Sequence, residues 1–337
     1  MSHLETIAQV EAGNDLSLAE MAQAIGQMMD GTWADDDIAA LLLALNEKGP
    51  SVDEIAGAAT AMRSHMIQIN APCEKFIDTC GTGGDRSGTF NISTATALVI
   101  AAAGVTVAKH GNRSVTSKSG SADVLSRLGV NIEADVATIE KSLEEVGICF
   151  CFAPLMHGSM KHVAPVRKKL GVPTIFNLLG PLCNPANAPY QLLGVGKPEY
   201  RELLASALQK LGTTRAVFVT GRDGMDEVTI SDATDVIIAT ENGLVPIIWQ
   251  PEEFGIERQG KEDMLVDGPE ESAAMIRGVL SGTPGAARDI VVINAAAALW
   301  TIGENDSLSE CARLAQNAID SGAAEEKLAK LAEVSHS

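Results

Sequence analysis

The chain has 337 residues, 46% of them hydrophobic, and a formal net charge of -19, so it can bury one large core and a second, smaller one. Such an acid surplus repels nucleic acid and anionic membrane unless basic charge is locally segregated. The longest apolar stretch, residues 97–107, is too short to span a bilayer, and the polar start carries no signal-peptide pattern, so the expected location is the cytoplasm.

The first seventy residues read as helices only. Ser17 with Glu20 makes a capping-box pattern before Leu18, Met21, Ile25 and Met28, and Gly31 ends the run. Thr32 with Asp35 opens a second helix that ends at Gly49, and Ser51 with Glu54 opens a third. Three short amphipathic helices cannot hide their apolar faces alone, so they should pack on the rest of the chain or on a second subunit. After Pro72 short apolar runs alternate with helical ones, which predicts a parallel sheet flanked by helices. Strands are expected around 76–77, 105–108, 148–152, 191–195, 215–220, 235–239 and 244–249. Helices are expected over 91–103, 121–128, 138–146, 199–211, 270–280, 289–302, 307–321 and 324–334. Residues 165–189 are punctuated by proline and lack that rhythm, as a segment crossing back to the helical part would. The fold class is therefore α/β: a small all-helical N-terminal domain, residues 1–72 with a returning segment about 163–189, and a large α/β domain, residues 73–162 and 190–337. Six cysteines, at 73, 80, 149, 151, 183 and 311, form no C-x-x-C pair and no zinc spacing, and read as reduced small hydrophobes.

Acids are distributed unevenly. Between Asp85 and Asp123 the only charged side chains besides His110 are Arg86, Lys109, Arg113 and Lys118, and no acid stands between Glu145 and Glu199. Gly81-Thr82-Gly83-Gly84-Asp85 follows a strand and precedes a helix whose first turn holds Asn91, Ser93 and Thr94. Amides there can converge on one anion, although a tight turn and ordinary capping explain the same residues. In Lys109-His110-Gly111-Asn112-Arg113 the cations suit phosphate oxygens, and His110 with Asn112 suits a polar substrate. Residues 114–121, rich in Ser and Thr, read as a phosphate-covering loop. Asp226-Glu227 can hold Mg²⁺ or be a solvated turn, as other acid pairs in this chain are. Arg167 suits a carboxylate or forms part of a basic helix face with Lys168 and Lys169.

In order and spacing these strings, with Asp78-Thr79-Cys80 before the glycines, His162-Val163-Ala164-Pro165-Val166-Arg167, Asn177-Leu178-Leu179-Gly180-Pro181-Leu182, Asn184-Pro185 and Gly224-Met225-Asp226-Glu227, closely resemble the anthranilate phosphoribosyltransferase family over nearly the whole chain. The resemblance implies transfer of a phosphoribosyl group from 5-phosphoribosyl 1-pyrophosphate to the amino group of anthranilate, in tryptophan biosynthesis, by a homodimer joined through its helical part. It implies that Gly81, Gly84, Asp85, Thr89, Asn91, Ser93, Thr94, Lys109, Ser117 and Ser121 bind the donor. It places anthranilate near Gly81, His110, Asn112, Arg167 and Gly180, and Mg²⁺ near Ser93, Asp226 and Glu227; Lys109, Asp226 and Glu227 are the expected catalytic set. Gly158-Ser159 departs from the frequent Pro-Ala after His157, and Thr116 from the usual Ser. Two rivals are a pyrimidine nucleoside phosphorylase of the same fold and a non-catalytic relative that binds nucleic acid; the charge of -19 argues against the second.

Overall fold

The computed structural model describes residues 2–114 and 118–337. Four helices come first: α1 (His3–Glu11), α2 (Leu18–Met29), α3 (Asp35–Lys48) and α4 (Val52–His65). Reciprocal capping boxes start three of them, Ser2 with Glu5, Ser17 with Glu20 and Ser51 with Glu54, so orphan amides are satisfied locally. The first box marks α1, which the sequence reading passed over. The Thr32 cap is a correction: α3 starts after Ala34 with no side-chain cap, and the Thr32 hydroxyl donates to the Gln27 carbonyl at 2.9 Å. Three aspartates in the first turn of α3 offset the helix dipole instead.

Glu54 does more than cap. Fully buried, it accepts the Leu16 amide at 3.0 Å, the Ser51 amide at 2.7 Å and the Lys48 ammonium at 2.8 Å. Glu54→Ala strands the two amides and leaves Lys48 only Asp15 and the Gly49 carbonyl, and urea unfolding should register a loss of about 3 kcal/mol, the range for breaking a buried pair.

Seven strands follow: β1 (Phe76–Gly81), β2 (Thr106–Gly111), β3 (Ile148–Phe152), β4 (Tyr190–Gly194), β5 (Arg215–Gly221), β6 (Thr234–Thr240) and β7 (Gly243–Trp249). They form one sheet in the order β3-β2-β1-β4-β5-β6-β7. The first five pair in parallel and β6 and β7 antiparallel. The reversal follows from connection length: residues 222–233 and 241–242 hold no crossover helix, which a parallel return requires.

Eleven further helices punctuate and cover the sheet among the described residues: α5 (Ile92–Ala102), α6 (Ser121–Arg127), α7 (Val136–Val146), α8 (Ala153–Met156), α9 (Ala164–Leu170), α10 (Phe176–Leu179), α11 (Arg201–Lys210), α12 (Pro269–Leu280), α13 (Ala286–Ile302), α14 (Leu308–Asp320) and α15 (Ala323–Val334). Strand alternation puts the two larger core clusters on opposite faces of the sheet, and a third, smaller one gathers Phe76, Ala108, Cys149 and Cys151 with Ile139 and Leu143 of α7. Leu192, Val217, Val219 and Val236 face α5 and α13 in one cluster. Their neighbours Leu193, Ala216, Phe218, Ile237 and Ala239 join α11 and the apolar faces of α2, α3 and α4 in the other, together with Val163, Val166, Ile175, Phe176 and Leu179. The parallel strands therefore end together at Gly81, Gly111, Phe152, Gly194 and Gly221, the edge at which open α/β sheets bind ligands.

A candidate phosphate and acceptor site at the strand ends

The glycine loop leaves β1 at Gly81 and is threaded between two other strand ends. The Thr82 amide donates to the Gly194 carbonyl at 2.9 Å, and the Gly196 amide to the Thr82 hydroxyl at 3.0 Å. A Cβ on Gly194 would lie 1.7 Å from the Asp226 carbonyl oxygen, and one on Gly196 2.7 Å from the Gly83 carbonyl oxygen. Backbones from β1, β4 and β5 thus pass at contact distance, which only glycine permits. Gly83 and Gly84 have φ of +65° and +84°, and both are exposed, so the turn forms an open cradle at the strand ends.

Asp226 and Glu227, half-buried on the connection after β5, close this cradle from below. Asp226 Oδ2 accepts the Gly83 amide at 3.1 Å. Burial, and then the neighbouring Asp85 carboxylate, push Asp226 up to about 7, and burial with the Asp226 charge pushes Glu227 well above the carboxylate range, against the opposing pull of Lys109. A pocket that is acid-free in local sequence is thus acid-lined in space.

Lys109 is buried at the end of β2. Its ammonium donates to the Thr79 carbonyl at 2.6 Å and to Ser93 Oγ at 3.3 Å, which sets it under the first turn of α5. Burial lowers its proton affinity while Asp78 and Glu227 raise it. Asn91 stands at the N-cap position of α5 without a side-chain capping bond and accepts the Thr94 hydroxyl. Thr89 pairs its hydroxyl with Ser87 Oγ at 2.9 Å and bridges to Leu265, and Asp85 accepts the Ser87 amide at 3.2 Å. Ser121 starts α6 and donates to the Asn112 carbonyl at 3.3 Å. Ser117, also expected here, lies outside the described residues. Arg113, read as a phosphate ligand, instead pairs with Asp123 at 3.2 Å and Glu133 at 3.8 Å. Lys118 pairs with Asp267 at 2.5 Å.

On the β3 side His110 and His157 meet, both buried, with Nε2 atoms 3.3 Å apart. His110 Nδ1 lies 3.2 Å from the Gly180 carbonyl oxygen. Burial lowers His110 to about 3 and His157 to about 4, so both are neutral near pH 7; His110 then donates from Nδ1 and accepts from His157 at Nε2. Asn112 is exposed on the same loop. Arg167, on α9, donates to Asn177 Oδ1 at 3.3 Å and lies over the Phe176 ring at 5.4 Å. Its Nε is buried without a partner. Sequence reasoning missed His157 as partner of His110, the closely packed Gly194 and Gly196, and the buried Asp78 and Asn184; Gly194-Val195-Gly196 at a strand end was the available signal for two of them.

Fold and site together define a glycosyl transferase built from a helical bundle and an α/β domain. The chain matches the glycosyl transferase family helical bundle domain over residues 4–66 and its a/b domain over residues 73–325. It is 47% identical to an anthranilate phosphoribosyltransferase of Rhodopirellula baltica, covering 99% of this chain and 97% of that one. The crystal structure of the Thermus thermophilus anthranilate phosphoribosyltransferase superposes with a TM-score of 0.92 at 39% identity, covering 98% and 99%. The Saccharomyces cerevisiae enzyme in complex with PRPP and Mg gives 0.91 at 27% identity over 99% and 98%, and that protein has also been solved with 4-fluoroanthranilate. The chain belongs to the anthranilate phosphoribosyltransferase family.

Proposed function

We propose that this protein transfers the phosphoribosyl group of 5-phosphoribosyl 1-pyrophosphate to the amino group of anthranilate, releasing pyrophosphate, in tryptophan biosynthesis. The observation that carries this reading is the juxtaposition of the exposed glycine turn at Gly83-Gly84, a buried Lys109 under the α5 N-terminus, and the acids Asp226 and Glu227. A pyrimidine nucleoside phosphorylase is not favoured, because the near full-length relatives are anthranilate phosphoribosyltransferases.

In this reading Gly81, Gly84, Asp85, Thr89, Asn91, Ser93, Thr94, Ser117 and Ser121 surround the donor's phosphates and ribose. Displacement at the anomeric carbon builds positive charge on the sugar and negative charge on the departing pyrophosphate. Lys109 and the α5 amides are fixed before the reaction, so they stabilise that charge without reorganising. Anthranilate presents a neutral amine, and Asn112, His110, Gly180 and Arg167 hold it in line for attack. A neutral His110–His157 pair suits hydrogen bonding of the acceptor and adds no charge to its pocket.

Mg²⁺ fits the residues present. Asp226 and Glu227, flanked by Asp85, are carboxylates whose proton affinity is raised by burial and by their neighbouring acids, repulsion that a divalent cation would offset, and Ser93 adds a hydroxyl. Among the described residues no group of three or more His, Cys, Asp or Glu forms a ready cage, as suits an ion that takes one or two carboxylates and completes its shell with water and phosphate oxygens. When bound, Mg²⁺ offsets negative charge on the leaving pyrophosphate.

We divide the chain into a helical body, residues 1–72 with about 163–189, and an α/β body, residues 73–162 and 190–337; the burial of Val163, Val166, Ile175 and Phe176 with the helices supports this. Leu4 on α1 is 62% exposed and Leu43 on α3 45%, which supports a homodimer through the helical body. The acidic balance and six free cysteines support a cytoplasmic protein with no nucleic-acid partner; no described helix is long and apolar enough to cross a membrane.

The test is loss of anthranilate fluorescence with donor and Mg²⁺, repeated with EDTA and with each substrate omitted. Decay that requires all three supports the assignment, and a folded, donor-binding protein without decay takes another acceptor. Within that assay Arg167→Ala should raise KM for anthranilate about tenfold or more, the cost of one charge-assisted hydrogen bond, and leave the donor KM nearly unchanged.

A further inference from the structure

Under the acceptor side of the cleft lies a buried polar junction that the roles above leave unused. β1 and β2 pair at Phe76 with Thr106 and at Ile77 with Val107, and the ladder between them stops there. Side chains take over from it. Asp78, fully buried on β1, accepts the His110 backbone amide on Oδ1 at 3.1 Å and the Asn184 side-chain amide on Oδ2 at 2.8 Å. Asn184, 2% exposed, gives its other side-chain N–H to the Ala108 carbonyl at 2.8 Å and accepts the Ala186 amide at 2.9 Å. From β4 the buried Gln191 donates to the Pro181 carbonyl at 2.9 Å.

Besides a bond between Asp78 and the Cys80 thiol on the same strand, the contacts of this junction converge on two pieces of backbone, the end of β2 at residues 108–110 and the segment 180–186. These carry His110 and Gly180. A buried carboxylate is costly unless its oxygens are satisfied, and here both oxygens are satisfied by the groups that set where those two pieces lie. Lys109 is hydrogen-bonded elsewhere, through the Thr79 carbonyl, and feels the junction only through the charge of Asp78.

We propose that Asp78 and Asn184 form a positioning pair for the acceptor substrate: they join β1 to β2 where the ladder stops and lock His110 to the Gly180 segment, so they set the anthranilate pocket without touching either substrate. The proposal rests on the acceptor-pocket reading given above.

The test compares Asn184→Ala with Asn184→Leu, neither of which alters the Asp78 charge that acts on Lys109. Both remove the amide that donates to Asp78 and to the Ala108 carbonyl, and Leu keeps most of the side-chain volume. Each variant should raise KM for anthranilate about tenfold while the donor KM moves less than about threefold. A merely structural pair would lower melting temperature and active fraction with both KM values unmoved. If Asn184→Ala does not fold, Asn184→Leu carries the same expectation, since it too removes the donor and leaves the Asp78 bond to His110. Folded variants with unchanged anthranilate KM, or with parallel changes in both KM values, would overturn the role. Wild-type turnover reads the underlying assignment separately: an inactive wild type overturns that assignment and this role with it.

Discussion

Replacing Lys109 with Met should lower kcat/KM by about a thousandfold, the upper range for removing one preorganised charge from a site where charge develops. The ammonium is the cation nearest the acids of this site that the structure describes, bonded to Ser93 Oγ at 3.3 Å and to the Thr79 carbonyl at 2.6 Å. Its loss leaves that carbonyl unpaired and removes the group opposing the acid-raising effect of burial on Asp78 and Glu227. Lys109→Arg should not restore activity, because a planar guanidinium is larger and cannot present its charge as a compact point in the same buried slot. Initial rates from anthranilate fluorescence decide this: more than about a tenth of wild-type kcat/KM in the Met variant would rule out an electrostatic role of this size.

The second large effect concerns the acids. Asp226→Asn with Glu227→Gln should lower turnover at least about a hundredfold and weaken its dependence on Mg²⁺ concentration. The same variant should be more stable than wild type in EDTA at pH 8. Asp226 is raised from its ordinary 3.8 to about 7 by burial and by Asp85, so the folded chain holds that proton more tightly than the unfolded chain. Stability therefore falls as pH rises from about 4 to about 7, and the full penalty remains above that window. The gain in melting temperature on neutralisation should be largest at pH 8 and fade towards pH 4. A variant no more stable than wild type at pH 8, with unaltered Mg²⁺ dependence, would remove both the electrostatic reading and the metal assignment.

What the sequence made legible was local. Ser17 with Glu20 and Ser51 with Glu54 announce helix starts because a capping box is complete within four residues. The short apolar run 148–152 is β3 itself, since a strand buried on both faces needs no alternation. Gly81-Thr82-Gly83-Gly84 was readable as a tight turn because its glycines stand within four residues. Features that depend on distant residues were not. Thr32 lost its cap to the Gln27 carbonyl. Arg113 carries no local sign that Asp123 and Glu133 will claim it. Asp78 reads as one more polar residue before a glycine loop until Asn184, over a hundred residues on, meets it in the core. The reversal at β6 depends on a connection with no crossover helix, and the motifs that named the family do not include it.

The apolar cluster joining α2, α3 and α4 to Leu193, Phe218 and Ile237 of the sheet and to Leu204 and Leu208 of α11 bears on what the linking segment after α4 does. The bundle is held to the sheet by shared interior, and the peptide chain between them adds little to that grip. A protease nick between His65 and Phe76 would leave two fragments that still travel as one particle, and neither fragment, set free, could cover the face it lost.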